Sequence, residues 1–305
     1  MIEAPLGNGT GPARRNGGRP GTRLAAAIAG CASLALAPAT ARAQCQPGEH
    51  SNEAKLLAHY SAPITFAPLA EPGFAAGRFV LGADLTYIPK PDPALERTGV
   101  CFMPKNESTQ LSPVFPRPRL MIGLPLGIGL EVSYLPPVKV AGAKPNLVSG
   151  AVSIARPLLA GTQPVMAAVR VHATRGYVNG AITCSEDALQ QSDPAAPCYG
   201  SKKSNDTFRP NMWGIDGSIG RSFMEGRLGL YAGGGYTWLA PRFRVGFEDG
   251  RGFMDRTRVE VDLTRASVFG GAAYHIGGTW SATAQVYSVP EDVTLFRLGG
   301  AARLR

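Results

Sequence analysis

Residues 228–239 read LGLYAGGGYTWL, and their character alternates with a period of two. Leu228, Leu230, Ala232, Tyr236 and Trp238 fall on one face. Gly229, Tyr231, Gly233, Gly235 and Thr237 fall on the other. Successive side chains of a strand point to opposite sides, so this is a strand with one bulky apolar face and one face of mainly small residues.

The same alternation recurs in both directions along the chain. In WSATAQVYSV, Trp280, Ala282, Ala284 and Val286 oppose Ser281, Thr283, Gln285 and Tyr287. In VMAAVRVHATRGY, Val165, Ala167, Val169, Val171 and Ala173 oppose Arg170, His172 and Thr174. Phe296, Leu298, Ala302 and Leu304 oppose Arg297 and Arg303, and Leu81, Ala83, Leu85 and Tyr87 oppose Asp84 and Thr86. The pattern predicts strands over 77–88, 115–124, 127–138, 146–157, 164–177, 211–223, 228–241, 264–276, 280–289 and 294–304. Most match the ~9–11 residues with which a tilted strand crosses a bilayer.

The connections sort by length. Segments 89–114, 178–210 and 242–263 are long, whereas Pro125-Leu126, 158–163, Met224–Arg227 and Gly277–Thr279 are short. The connection 139–145 is intermediate, and 290–293 alone breaks the alternation. A barrel with long loops outside and short turns in the periplasm has this arrangement. Tyr87, Tyr134, Tyr177, Trp213 and Trp238 fall at the outer strand ends, and Tyr274 and Trp280 at the inner ends, where amphipathic rings meet headgroups.

Over 77–305 the chain therefore resembles the bacterial outer-membrane β-barrel proteins as a class. The resemblance implies an all-β, transmembrane, antiparallel up-and-down barrel of about ten strands. It also implies a place in the cell outer membrane, with the lipid bilayer and the outer-membrane assembly machinery as partners. One departure stands out: such barrels usually end in an aromatic residue, and this chain ends in Leu304-Arg305.

Residues 1–43 read as a cleaved signal peptide. Arg14, Arg15, Arg19 and Arg23 precede the apolar run Leu24–Ala37, and Ala41-Arg42-Ala43 fits a cut after Ala43. A rival cut lies before Cys31, where Ile28-Ala29-Gly30-Cys31 resembles a lipoprotein box. The segment 44–76 is not strand-like. Ser51 caps a short helical pattern that ends at Ala62-Pro63, and Pro68 and Pro72 keep the rest extended. It is expected either as a periplasmic tail or as a lumen plug, ahead of a barrel over 77–305.

Low charge (17%), 38 glycines and 44% hydrophobic residues over 305 positions argue against disorder and against a helical bundle. The formal charge of +9 falls to +5 once the signal segment is removed, and the Lys and Arg are scattered. Nucleic acid is accordingly not expected as a partner. Four cysteines remain after cleavage, an even count that suits disulfides in an exported chain. Cys184 and Cys198 share one polar loop and are expected to pair. A Cys45–Cys101 bond would require the intervening chain to thread the barrel, because Cys101 lies in an outer loop. No C-x-x-C spacing exists and the four histidines are dispersed, so no metal site is expected.

By the alternation, Asp84, Glu131, Arg170, His172, Asp216, Arg297 and Arg303 point inward, together with Arg78 and His275. Opposite charges can pair there, or act as an electrostatic filter. The small inner residues Gly229, Gly233, Gly235, Gly271, Ala273 and Gly299 leave room for water or a plug, or fit the curvature of the sheet. Omptin-type proteolysis needs paired Asp and an Asp–His pair at the outer rim, and the outer loops offer no Asp pair. Ser267 and His275 share a face but stand about 26 Å apart along one strand. No catalytic residue, cofactor or enzyme activity is expected. Two functions fit: a narrow pore or transporter for small solutes, or a closed barrel serving as anchor, adhesin or receptor for an extracellular ligand through its outer loops.

Overall fold

The computed structural model describes residues 44–73, 76–101, 112–140, 142–159 and 164–304. The segment 1–43, expected as a signal peptide, and Arg305 lie outside the described residues, as do most of the short connection 158–163 and part of the loop 89–114.

Ten long strands form the body. They are β1 (Phe79–Tyr87), β2 (Val114–Gly123), β3 (Ile128–Leu135), β4 (Lys144–Leu159), β5 (Val165–Gly180), β6 (Met212–Phe223), β7 (Leu228–Leu239), β8 (Leu263–Ile276), β9 (Trp280–Val289) and β10 (Val293–Leu304). Each pairs antiparallel with the next, and β10 pairs back onto β1 from Phe79↔Leu304 to Tyr87↔Phe296. The result is a closed ten-strand barrel. Closure removes the sheet edge, which would otherwise leave unpaired N–H and C=O groups facing lipid.

The period-two pattern sorts the two faces. Leu81, Val132, Val152, Val169, Ile219, Val268 and Leu298 are exposed on the outer wall, where the solvent is acyl chain. Their neighbours Asp84, Glu131, Ser149, Arg170 and Arg297 are buried inside. Trp213 and Trp238 stack across β6 and β7 with ring centres 4.2 Å apart. One end of the barrel carries the tight turns. In the three-residue turn Gly277–Thr279 both glycines have positive φ (59° and 72°), a left-handed geometry that glycine adopts without a Cβ clash.

Strand β2 contains Pro116 and Pro118. Proline has no N–H to give a ladder. Accordingly β2 pairs with β1 along its whole length, but its ladder with β3 is confined to Leu120–Gly123. The outer half of the β2–β3 boundary is a seam without ladder pairing.

The opposite, loop end is more ordered than the sequence predicts. Strand β5 continues past Thr174, where β6 leaves it, and pairs with 206–208. Residues 206–209 pair in turn with 242–244, these with 258–260, and these with Gln44–Cys45. The sequence reading left 178–210 and 242–263 as loops. Segments of two to four residues are too short for a period of two to show, and they are recruited by the overhanging edge of β5. Under this canopy an apolar core gathers Leu57, Ala58, Val178, Phe208, Phe243 and Val259.

The N-terminal segment passes through the barrel. Cys45 is bonded to Cys101 at the loop end, and Cys184 to Cys198 in the canopy. Helix α1 (Asn52–Ser61) starts where the Ser51 side chain accepts from the Ala54 N–H, and sits at the loop-end mouth. Residues 62–73 then run to the turn end, where the Gly77 N–H meets the Gly123 carbonyl. The nine residues 65–73 reach at most about 30 Å when extended, the thickness of a hydrocarbon core. The part inside the barrel is thus mostly extended chain, which a narrow ten-strand lumen accepts more readily than a helix.

Candidate functional site

The middle of the lumen holds one continuous ion-pair chain. Arg119 binds Asp84 through Nε and Glu131 through a terminal nitrogen at 3.2 Å. Arg170 bridges Glu131 (3.0 Å) and Asp216 (3.1 Å), and His172 Nε2 stands 3.5 Å from Asp216. All six side chains are buried. In a water-excluded site such charges persist only when paired, and here strands β1, β2, β3, β5 and β6 each supply a member.

The same arginines hold the threaded segment by its backbone. Arg117 donates to the carbonyls of Ile64 and Thr65, Arg170 to Phe66 (2.6 Å) and Arg119 to Ala67 (3.0 Å). Arg297 reaches Ala62 and Thr65 at 3.4 and 3.3 Å, and Gln285 donates to Pro68 (2.7 Å). Four guanidiniums face three carboxylates in this cluster. The carbonyl dipoles of 62–68 supply further acceptors, so an extended chain adds partners to a site that carboxylates alone leave short.

Phe66, fully buried, is the anchor. The guanidinium carbons of Arg119, Arg170 and Arg117 lie 4.5, 5.1 and 5.3 Å from its ring centre, within range of cation–π attraction. Lower down, Glu71 Oε1 meets His275 Nε2 at 2.7 Å. The small residues make this approach possible. A Cβ at Gly229 would run into the Glu71 carboxylate, one at Gly299 into Leu69, and one at Gly220 into Pro72. The other small inner positions serve the wall itself, Gly233 receiving Phe269 and Gly271 receiving Tyr231.

Of the inward residues expected from sequence, Asp84, Glu131, Arg170, His172 and Asp216 are brought together. Arg297 joins the lumen but binds carbonyls. Arg303 lies apart at the turn end, half-buried, donating to the Gly278 carbonyl at 3.0 Å. Sequence reasoning passed over Arg117, Arg119, Glu71 and Gln285. Arg117 and Arg119 share a face by spacing, the one signal available.

At the loop end, Glu53 in α1 accepts the N–H groups of Gly99 (2.9 Å), Val100 (2.7 Å) and Cys101 (3.1 Å). Burial pushes its pKa up, but these donors pull harder and hold the carboxyl below its ordinary range. Burial lowers the pKa of His59, on the other side of α1, against the opposing pull of Asp292. Among the described residues no group of three or more His, Cys, Asp and Glu side chains is placed to hold a metal ion.

No family model matches the chain, and no curated protein matches it. Solved structures do. The outer membrane protease OmpT of Escherichia coli is 9% identical, with 79% of this chain and 97% of that one covered and a TM-score of 0.38. Ail, the attachment invasion locus protein of Yersinia pestis, is 7% identical over 74% and 97%, with a TM-score of 0.29. The outer membrane protein Omp33 of Acinetobacter baumannii is 11% identical over 74% and 98%, with a TM-score of 0.25. With these proteins of different roles the chain shares only the general architecture of the bacterial outer-membrane β-barrel.

Proposed function

We propose that the protein is a closed outer-membrane barrel, sealed by its own N-terminal segment, that acts as a surface receptor through its loop end and not as an open pore. The observation that carries this reading is the set of arginine bonds to the carbonyls of Ala62, Ile64, Thr65, Phe66 and Ala67. An open channel along the axis would require all of them to be exchanged for water, and would strip Arg117 and Arg297 of the carbonyls they bind, at about 1.5–3 kcal/mol for each bond to a charged group. The elaborated part of the molecule is the loop end, with its canopy, two disulfides and apolar core.

The test is single-channel recording of the purified mature protein in a planar bilayer, with folding checked by heat-modifiable gel migration. The wild-type protein is expected to insert without discrete conductance steps, and a chain lacking 44–73, with Cys101→Ser, to conduct. Steps from the folded wild type with its disulfides intact would overturn the reading in favour of a narrow pore.

A further inference from the structure

Between α1, the canopy and the outer ends of β2 and β3 lies a cavity of about 500 Å³. This volume lies within the range of small-molecule sites. Its wall is apolar: Leu57, Tyr60, Ile64, Phe115, Val178 and Phe243 all face it. The few charged groups at its edge are already engaged. Glu53 is spent on the three N–H groups of 99–101. Asp249 holds Arg251 and the Phe253 N–H, and Asp255 holds the Thr257 N–H and hydroxyl. Among the described residues three carboxylates therefore stand at the wall against a single guanidinium, itself paired. A ligand carrying an anionic headgroup would find no free cation among these residues and would be repelled by the carboxylates.

The position of the cavity adds a second, independent observation. Val114, Phe115 and Pro116 of β2 and Leu135 of β3 contribute to its side. This is the stretch where the β2–β3 ladder is missing. An apolar molecule can cross a boundary without ladder bonds at less cost than a paired one, because no N–H···O=C bond has to be broken.

We propose that this cavity is a binding site for one uncharged, apolar small molecule of hydrocarbon type, exchanged with the bilayer through the β2–β3 seam. The site is the ligand pocket of the receptor function proposed above and rests on that reading, since α1 and Ile64 form part of its wall only while the N-terminal segment is in place.

The experiment is photolabelling of the full mature protein in lipid nanodiscs with a dodecane analogue carrying a diazirine, followed by peptide mapping. Saturable labelling of the peptides containing Leu57–Tyr60 and Phe243–Phe247 is expected. Dodecane should compete for it at least about tenfold better than laurate, the least that an unpaired carboxylate in an apolar cavity costs. Ala143→Trp fills the cavity from its edge and should abolish the saturable label while the barrel stays heat-modifiable. A disulfide placed across the seam by Pro118→Cys with Tyr134→Cys should slow labelling from the bilayer, whereas Pro118→Ser with Tyr134→Ser should not. Labelling confined to lipid-facing residues and never saturating would overturn the site. Laurate competing as well as dodecane would overturn the uncharged class, and an unchanged rate in the locked seam would overturn the route. Absence of the saturable label in a non-conducting protein defeats this inference alone, whereas conductance by the wild type defeats the closed-barrel reading first.

Discussion

The ring of Phe66 and the guanidinium of Arg119 face each other at 4.5 Å in the centre of the barrel, both shut off from solvent. One belongs to the threaded segment and the other to the wall. Phe66→Ala removes a buried ring together with three cation–π partners, so a loss of about 3–5 kcal/mol is expected. The check is the urea midpoint of the folded barrel in lipid vesicles, with Phe66→Leu expected to lose clearly less. An unchanged midpoint in the alanine variant would show that the segment is not anchored there.

Arg119→Met strips Asp84 and Glu131 of their shared partner. Breaking a buried pair from one side costs about 3–5 kcal/mol, while replacing both sides by apolar groups can be neutral. The double variant Asp84→Leu/Arg119→Met should therefore recover part of the loss in the same unfolding assay. Simple additivity of the two single changes would argue against a shared network.

A side chain on Gly299 would run into the tip of the Leu69 side chain, which would have to move. Gly299→Leu should push the lower part of the segment aside and let current pass where the wild type passes none. Single-channel recording compares the two. A silent, folded Gly299→Leu barrel would mean that the wall yields instead.

Histidine 59 is buried, and burial holds its pKa below the ordinary value, so folding favours the neutral ring. The native state then binds fewer protons than the unfolded one near that value. Its contribution is fully present above about pH 6.5 and declines as pH falls through and below it. Heat-modifiability midpoints should drop from pH 8 to pH 5 by more in the wild type than in His59→Gln. Equal drops would remove His59 from the account.

Much of this architecture is legible in the chain. The ten strands are long enough for a period of two to declare itself, and Ser51 announces its helix. Asp84, Glu131, Arg170, His172 and Asp216 follow from alternation alone. Arg117 and Arg119 were overlooked because they alternate with Pro116 and Pro118, which offer no familiar apolar face to set them against. The grip on 62–68 is invisible for a deeper reason. It is made with backbone carbonyls, which every residue carries, so no side-chain pattern encodes it. Only the placement of Cys45 and Cys101 hinted that the chain goes through.

The Cys45–Cys101 bond has a consequence for disulfide removal. It closes a loop with a sequence separation of 56, for which chain entropy gives about 4 kcal/mol. Cys45→Ser with Cys101→Ser should lower the unfolding midpoint correspondingly, and reduction of the wild type, which also opens Cys184–Cys198, should lower it at least as far. No shift on either treatment would mean that the arginine bonds suffice to hold the segment.

That same covalent loop bears on the order of events during biogenesis. It contains the wall strand β1 and the chain threaded beside it, so cylinder and contents are one ring of polypeptide. A finished cylinder could be filled only by hauling α1 and the residues before it lengthwise through a space that fits an extended strand. Wrapping avoids this: a sheet that grows around the leading end and joins β10 to β1 last would seal in a passenger already aboard.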